Sequence, residues 1–205
     1  MRINKKKFIY LISPNKIINN NFYDDLSKIF NSKKVSFFQL RLKNTKIKNI
    51  VLIGKKVKRI CKKFNVKFII NDDAFLAKKL NADGCHLGQN DMNIDQARKV
   101  LKNKIIGITC HNSIKLAKIA LKNNPDYIAF GAFNYSKTKK TRYRAKINIL
   151  KSIKKISKIP VVAIGGINAK NYKKLLLNNA NFLAISGYIW NNKKYKPTEA
   201  IKKIK

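Results

Sequence analysis

Gln39, Arg41 and Lys43 alternate along one short stretch of the chain. If that stretch is extended, an amide, a guanidinium and an ammonium project to the same side. The planar fork of Arg and the point charge of Lys together suit a diphosphate, although an Arg-x-Lys pair is also commonplace in a Lys-rich chain. Asp72 and Asp91 offer a second kind of chemistry. Five of the nine acidic residues (Asp72, Asp73, Asp83, Asp91 and Asp95) fall within 24 positions. Mg2+ takes one or two carboxylates together with phosphate oxygens, which makes Asp72 and Asp91 the candidate ligands. Asp73, directly before Ala74, reads more readily as the cap of a helix. Further along, Ser136, Thr138 and Lys139 could grip an anion in a polar loop that closes as a lid, or simply be solvated. Gly165-Gly166 and Ser186-Gly187 could present bare amides to a monophosphate, or serve as turns. His86, and His111 beside Thr109, read more readily as packed residues than as ligands.

These groups need a scaffold, and the hydrophobic pattern supplies one. Short β-branched or aromatic runs at 8–12, 35–40, 66–70, 84–87, 105–109, 127–131, 161–164 and 183–186 predict eight strands. Amphipathic segments at 50–64, 74–80, 94–101, 114–121, 147–156 and 172–177 predict helices between them. Nearly continuous apolar strands alternating with helices point to a parallel sheet covered by helices, and eight repeats to an α/β, single-domain (β/α)8 TIM barrel over residues 1–205. An open doubly wound sheet is the runner-up, but no G-x-G-x-x-G follows the first strand. In a barrel, chemistry collects at the C-terminal ends of the strands, and each candidate group above follows an apolar run. A metal-and-diphosphate grip facing a monophosphate cradle suggests group transfer with diphosphate leaving.

Composition bounds the rest. The chain has 205 residues, 47 Lys or Arg against 9 Asp or Glu, and a formal charge of +38. Such a balance is the electrostatic footprint of a nucleic-acid binder. Here, however, Lys outnumbers Arg 41 to 6, is spread along the whole chain, and accompanies abundant Asn and Ile. Base and phosphate readers favour clustered Arg. Background composition from A/T-rich codons accounts for the profile better, and no nucleic-acid partner is expected. No run of about eighteen apolar residues exists to span a membrane, and the short apolar start lacks the features of a secretory signal. Three cysteines (Cys61, Cys85 and Cys110) show no metal-ligand spacing, and an odd number argues against a disulfide framework. A cytoplasmic protein is expected.

The motifs resemble, in order, those of the thiamine-phosphate synthase/TenI family, from about residue 10 to 189. They are Q-L-R-L-K at 39–43, N-D-D at 71–73, A-D-G-C-H-L-G-Q-N-D at 82–91 and G-I-T-C-H at 107–111. D-Y-I-A-F-G at 126–131, S-K-T-K at 136–139 and A-I-G-G-I at 163–167 follow. The resemblance implies that Gln39, Arg41, Lys43, Asn71, Thr109 and Lys139 hold an aminopyrimidine diphosphate, and that Asp72 and Asp91 bind Mg2+. It implies that Ser136, Lys137, Thr138, Gly166, Ser186 and Gly187 hold a thiazole phosphate. Arg41, Lys43 and Lys139 would then act in catalysis by stabilising the departing diphosphate. The partners implied are these two small molecules, with a homo-oligomer also compatible. Two departures stand out: Leu42 replaces a usual Glu, and the loop after strand six lacks its usual prolines. Some family members are thiazole tautomerases, but those tend to lose the metal and diphosphate residues retained here. The surplus charge is expected to draw in anionic substrates, so that kcat/KM falls as ionic strength rises. A flat salt profile would leave the charge as composition alone.

Overall fold

The computed structural model describes residues 7–136 and 142–205. Eight strands alternate with helices: β1 (Ile9–Ile12), α1 (Asn21–Asn31), β2 (Val35–Leu40), α2 (Ile47–Lys63), β3 (Lys67–Asn71), α3 (Ala74–Lys79), β4 (Gly84–Leu87) and α4 (Ile94–Leu101) come first. They are followed by β5 (Ile105–Thr109), α5 (Ile114–Leu121), β6 (Tyr127–Gly131), α6 (Asn148–Ile156), β7 (Val161–Ile164), α7 (Tyr172–Leu177), β8 (Phe182–Ile185), α8 (Gly187–Trp190) and α9 (Pro197–Lys203). The strands pair in parallel in sequence order, and β8 closes on β1. This is the (β/α)8 barrel that the hydrophobic pattern predicts, with strand limits shifted by at most one residue.

The helices depart further from expectation. Helix α2 begins at Ile47 rather than 50, and α1, α8 and α9 were not anticipated. In α1, Phe22, Leu26, Ile29 and Phe30 fall at helical spacing and are buried. Their signal is masked by Asn19, Asn20 and Asn21, which read as a turn. Helix α8 has four residues, too few to show a period.

Alternation sorts the strand residues into two cores. Residues facing outward pack under the helices, while Tyr10, Ile12, Phe37, Ile69, Tyr127, Val162 and Phe182 fill the barrel. Space for the largest of these is made locally. Gly107 lies opposite Tyr127 in the β5–β6 register, and a Cβ on it would stand 1.9 Å from the Tyr127 Cζ.

At the N-terminal ends, one clamp recurs three times. Asp83, just before β4, accepts from the Phe68 amide and pairs with Lys67 at 3.2 Å. Asp126, before β6, accepts from the Ile106 amide and pairs with Arg98 at 2.8 Å. Asn181, before β8, accepts from the Val161 amide and from Lys154 Nζ. Each ties the start of an even strand to the odd strand before it, so the stabilising groups sit opposite the end where chemistry gathers. Gly107→Ala is expected to destabilise the barrel by about 1–3 kcal/mol through overpacking, read as a lower melting temperature. An unchanged melt would refute the close-approach account.

Candidate active site

The inward parity of each strand continues to its C-terminal end, where apolar side chains give way to polar ones. Gln39 stands two residues beyond Phe37, Asn71 two beyond Ile69, and Thr109 two beyond Gly107. Gln39 is 2 % exposed, and its Nε2 donates to Asn71 Oδ1 at 3.2 Å. These amides therefore hold one another at the barrel mouth.

Arg41 and Lys43 lie past the end of β2 and are held by the segment that follows β1. The Arg41 amide donates to Ser13 Oγ at 2.9 Å, and Arg41 Nη1 donates to Asn15 Oδ1 at 3.2 Å. The Lys43 amide donates to the Asn15 carbonyl at 2.9 Å. On the other side, Ser186 Oγ donates to the Ser13 carbonyl at 3.0 Å, and Trp190 Nε1 to the Ile12 carbonyl at 2.7 Å. Residues 12–15 thus form a strap joining the Arg41 end of β2 to the Ser186 end of β8. Ser13, at 2 % exposure, is its buried centre. Sequence reasoning missed Ser13 and Asn15, although they follow the first apolar run as the other candidates follow theirs.

The three acids near β3 and β4 separate by role. Asp73 Oδ1 accepts from the Leu76 amide at 2.8 Å and caps α3, the plainer of its two readings. Asp72 adopts a left-handed backbone (φ 65°), with its amide bound to the His86 carbonyl at 2.7 Å. Asp91 Oδ2 accepts from the Gly88 amide at 2.6 Å, which orients the carboxylate. Burial pushes the Cys85 thiol far up, and the carboxylates of Asp72, Asp73 and Asp91 add to that effect. All three charges therefore act on one neighbourhood, while the protonated, buried thiol offers no ligand. Among the described residues no group of three or more His, Cys, Asp or Glu could cage an ion. Two hard carboxylates without an all-protein cage fit Mg2+, which completes its shell with water and phosphate oxygens.

Thr109 ends β5. Its Oγ1 lies 2.8 Å from His86 Nε2, and its carbonyl accepts from Gln89 Nε2 at 2.5 Å. His86 is packed inside the barrel with its ring stacked on Tyr127, centroids 5.6 Å apart. His111 stacks on Tyr143 at 3.9 Å.

The loop leaving β6 lies against the turn after β7. The Phe133 and Asn134 amides donate to the carbonyls of Ile164 and Gly165 at 3.1 and 3.0 Å. Gly165 and Gly166 have φ of 106° and 60°, and a Cβ on Gly166 would meet the Tyr135 carbonyl oxygen at 2.2 Å. Glycine is needed there for backbone conformation and for loop approach, in addition to any role toward phosphate. Ser136 lies on this loop and Gly187 opens α8 beside Ser186. Lys137, Thr138 and Lys139 lie outside the described residues. Leu42 lines a cavity of about 560 Å³ with Ile17, Lys46, Leu52 and Ile53, to which Arg41 and Lys43 do not contribute.

A closed parallel barrel with cations at one set of strand ends, carboxylates at the next and a glycine turn after β7 defines a phosphate-handling (β/α)8 enzyme. The sequence model of the thiamine monophosphate synthase family matches residues 9–189, and the chain belongs to that family. It is 68 % identical to the thiamine-phosphate synthase of Pelagibacter ubique (strain HTCC1062) over the full length of both chains. It is 42 % identical to that of Fusobacterium nucleatum, covering 80 % of this chain and 79 % of the relative. The thiamine phosphate pyrophosphorylase structure from Pyrococcus furiosus superposes with a TM-score of 0.84 at 26 % identity, covering 98 % of this chain and 94 % of that one.

Ser13 Oγ accepts from the Arg41 amide and donates to the Arg41 carbonyl, so Ser13→Ala is expected to cost about 1–3 kcal/mol in unfolding free energy by leaving these backbone groups unpaired. The bond from Ser186 reaches the Ser13 carbonyl, which alanine keeps. The variant should therefore weaken binding of inorganic pyrophosphate in calorimetry more than binding of inorganic phosphate, and equal weakening of both would refute a role confined to the Arg41 end.

Proposed function

We propose that the chain condenses 4-amino-2-methyl-5-hydroxymethylpyrimidine diphosphate with thiazole phosphate, forming thiamine phosphate and diphosphate, and that residues 1–205 act as one catalytic unit. The observation that carries this reading is the convergence of Gln39, Arg41, Asn71, Asp72 and Asp91 on adjoining strand ends of one barrel mouth. Retention of the same set in a family member is what a diphosphate substrate requires and a metal-free tautomerase does not.

The bond between the pyrimidine methylene carbon and the diphosphate oxygen breaks, and its electron pair leaves on that oxygen. Arg41, Lys43 and Lys139 stabilise the negative charge that develops there, the role in which fixed cations contribute most. The lone pair of the thiazole nitrogen then forms the new carbon–nitrogen bond to the pyrimidine cation. No proton has to be removed from that nitrogen, so the step needs no general base there. Gln39 and Asn71 orient the pyrimidine through their paired amides, with Thr109 alongside. Ser136, Lys137, Thr138, Gly166, Ser186 and Gly187 hold the thiazole phosphate opposite, so that the nitrogen faces the carbon. Asp72 and Asp91 would hold Mg2+, which when bound supplies positive charge to the diphosphate.

Purified protein given both substrates and Mg2+ is expected to release thiamine phosphate. Asp72→Ala and Asp91→Ala should each lower kcat by about a hundredfold or more while the melting temperature stays within a few degrees, the scale expected for lost transition-state charge stabilisation. Absence of product, with Asp72→Ala behaving as wild type, would sink the synthase reading.

A further inference from the structure

Beneath Thr109 runs a buried chain of hydrogen-bonding groups that the condensation itself does not use. Tyr10 Oη lies 2.8 Å from Tyr127 Oη, Tyr127 Oη lies 2.9 Å from His86 Nδ1, and His86 Nε2 lies 2.8 Å from Thr109 Oγ1. Three strands besides β5 contribute, and Gly107 clears the space for the Tyr127 ring. Both tyrosines are 2 % exposed and sit among Ile12, Phe37, Ile69, Val162 and Phe182.

The polarity of this chain follows from the end that is sealed. Among the described residues, Tyr127 Oη is the one hydrogen-bond partner of Tyr10 Oη, and the side chains packed around the pair are apolar. If Tyr127 donated to Tyr10, the Tyr10 hydrogen would point into hydrocarbon with no acceptor, which buried donors avoid. Tyr10 therefore donates to Tyr127. Tyr127, having accepted, donates its own hydrogen onward to His86 Nδ1. An imidazole that accepts at Nδ1 carries its hydrogen at Nε2 and donates it to Thr109 Oγ1. Thr109 has then accepted from behind, and its own hydroxyl hydrogen is left for the barrel mouth. Burial holds both phenols far above their ordinary titration range, so each keeps the hydrogen this order needs.

We propose that the Tyr10–Tyr127–His86 relay fixes Thr109 as an outward hydrogen-bond donor that recognises an uncharged acceptor, a ring nitrogen of the pyrimidine substrate. Tyr127 and His86 are positioning residues in this scheme, and Thr109 touches the substrate. The identity of the acceptor rests on the synthase reading above. The anionic ends of the two substrates are met by cations after β2 and by the β7 and β8 turns, so the part facing β5 is the uncharged ring. A hydroxyl free to rotate would accept from an exocyclic amine as readily as it donated to a ring nitrogen. Locking its direction makes Thr109 a discriminator between those two edges.

The tautomer can be read without turnover. The chain has two histidines, so ¹⁵N NMR of the imidazoles, assigned with His111→Gln, isolates His86. A single neutral form protonated at Nε2 is expected in the wild type and in Tyr10→Phe, where His86 is still the acceptor open to Tyr127. In Tyr127→Phe both tautomers are expected, with folding checked by thermal melt and near-ultraviolet dichroism. A wild-type His86 protonated at Nδ1, or unaltered tautomer populations in a folded Tyr127→Phe, would overturn the relay.

For the ligand, Thr109→Val is expected to raise KM for the pyrimidine diphosphate about tenfold, the scale of one hydrogen bond. KM for the thiazole phosphate should stay unchanged, and Thr109→Ser should restore the pyrimidine KM. Replacing each pyrimidine ring nitrogen in turn by C–H should cost wild type about tenfold at one of them and Thr109→Val nothing further at that position. Equal losses in the two proteins would overturn the acceptor assignment. A protein that made no thiamine phosphate yet kept the Nε2-protonated His86 would refute the synthase reading while supporting the relay.

Discussion

Closure of eight parallel strands forces alternate residues of every strand toward one axis, and the rest of the molecule answers to that constraint. The inward columns must fill the barrel without a void, which aromatic rings from β1, β2, β6 and β8 accomplish. Tyr127 spans enough of the interior that the strand beside it carries Gly107 at the paired position. The same parity, continued two residues further along each strand, delivers Gln39, Asn71 and Thr109 to the mouth. Apolar filling below and polar groups above are therefore one column read at two heights. The floor is lined by packed, mostly apolar side chains, so charges at the mouth act through a weaker dielectric than they would in open water.

The acids show how this division of labour extends over the whole chain. Asp83 and Asp126 pin strand starts, Asp73 caps α3, and Asp24, Asp95 and Glu199 lie in the first turns of α1, α4 and α9. Each meets backbone amides or the positive end of a helix, where a carboxylate is stabilising. Asp72 and Asp91 stand apart because they follow the C-terminal ends of β3 and β4, the strands next along the barrel from the one that Arg41 and Lys43 follow. If those cations grip a diphosphate as proposed, carboxylates on neighbouring strand ends would repel it unless a cation lay between them.

Much of this was legible in the residues. Strand runs such as Val35–Leu40 and Tyr127–Gly131 are recovered without shift, because a strand buried on both faces is nearly continuously apolar. Asp73 was readable as a cap from its place before Ala74. Helix α1 was not, since its Asn-rich approach mimics a turn and its period is recognised only once Phe22 and Leu26 are seen packed. Ser13 was passed over for a different reason. A lone serine after a short strand carries no chemistry of its own, and its importance comes from Gln39, Arg41 and Ser186, partners distant in sequence. Gly165 and Gly166 looked like phosphate amides, whereas their backbone angles and the loop packed against them demand glycine in any case.

Taken alone, the sequence determined the barrel, the strand ends that carry polar groups and the residue types able to hold a diphosphate and a metal. Those properties are local: apolar runs, alternation and the side-chain inventory travel with the chain wherever it folds. Tertiary structure decided which groups cooperate. The strap from Ser13 joins residues 28 and 173 positions away, and Tyr10 and Tyr127, 117 positions apart, share the hydrogen bond that orders the relay. A hydrogen bond depends on distance and direction within a fraction of an ångström. Closing the barrel is what brings such remote atoms within that range, so the direction of the Thr109 hydroxyl is a property of the fold rather than of any motif.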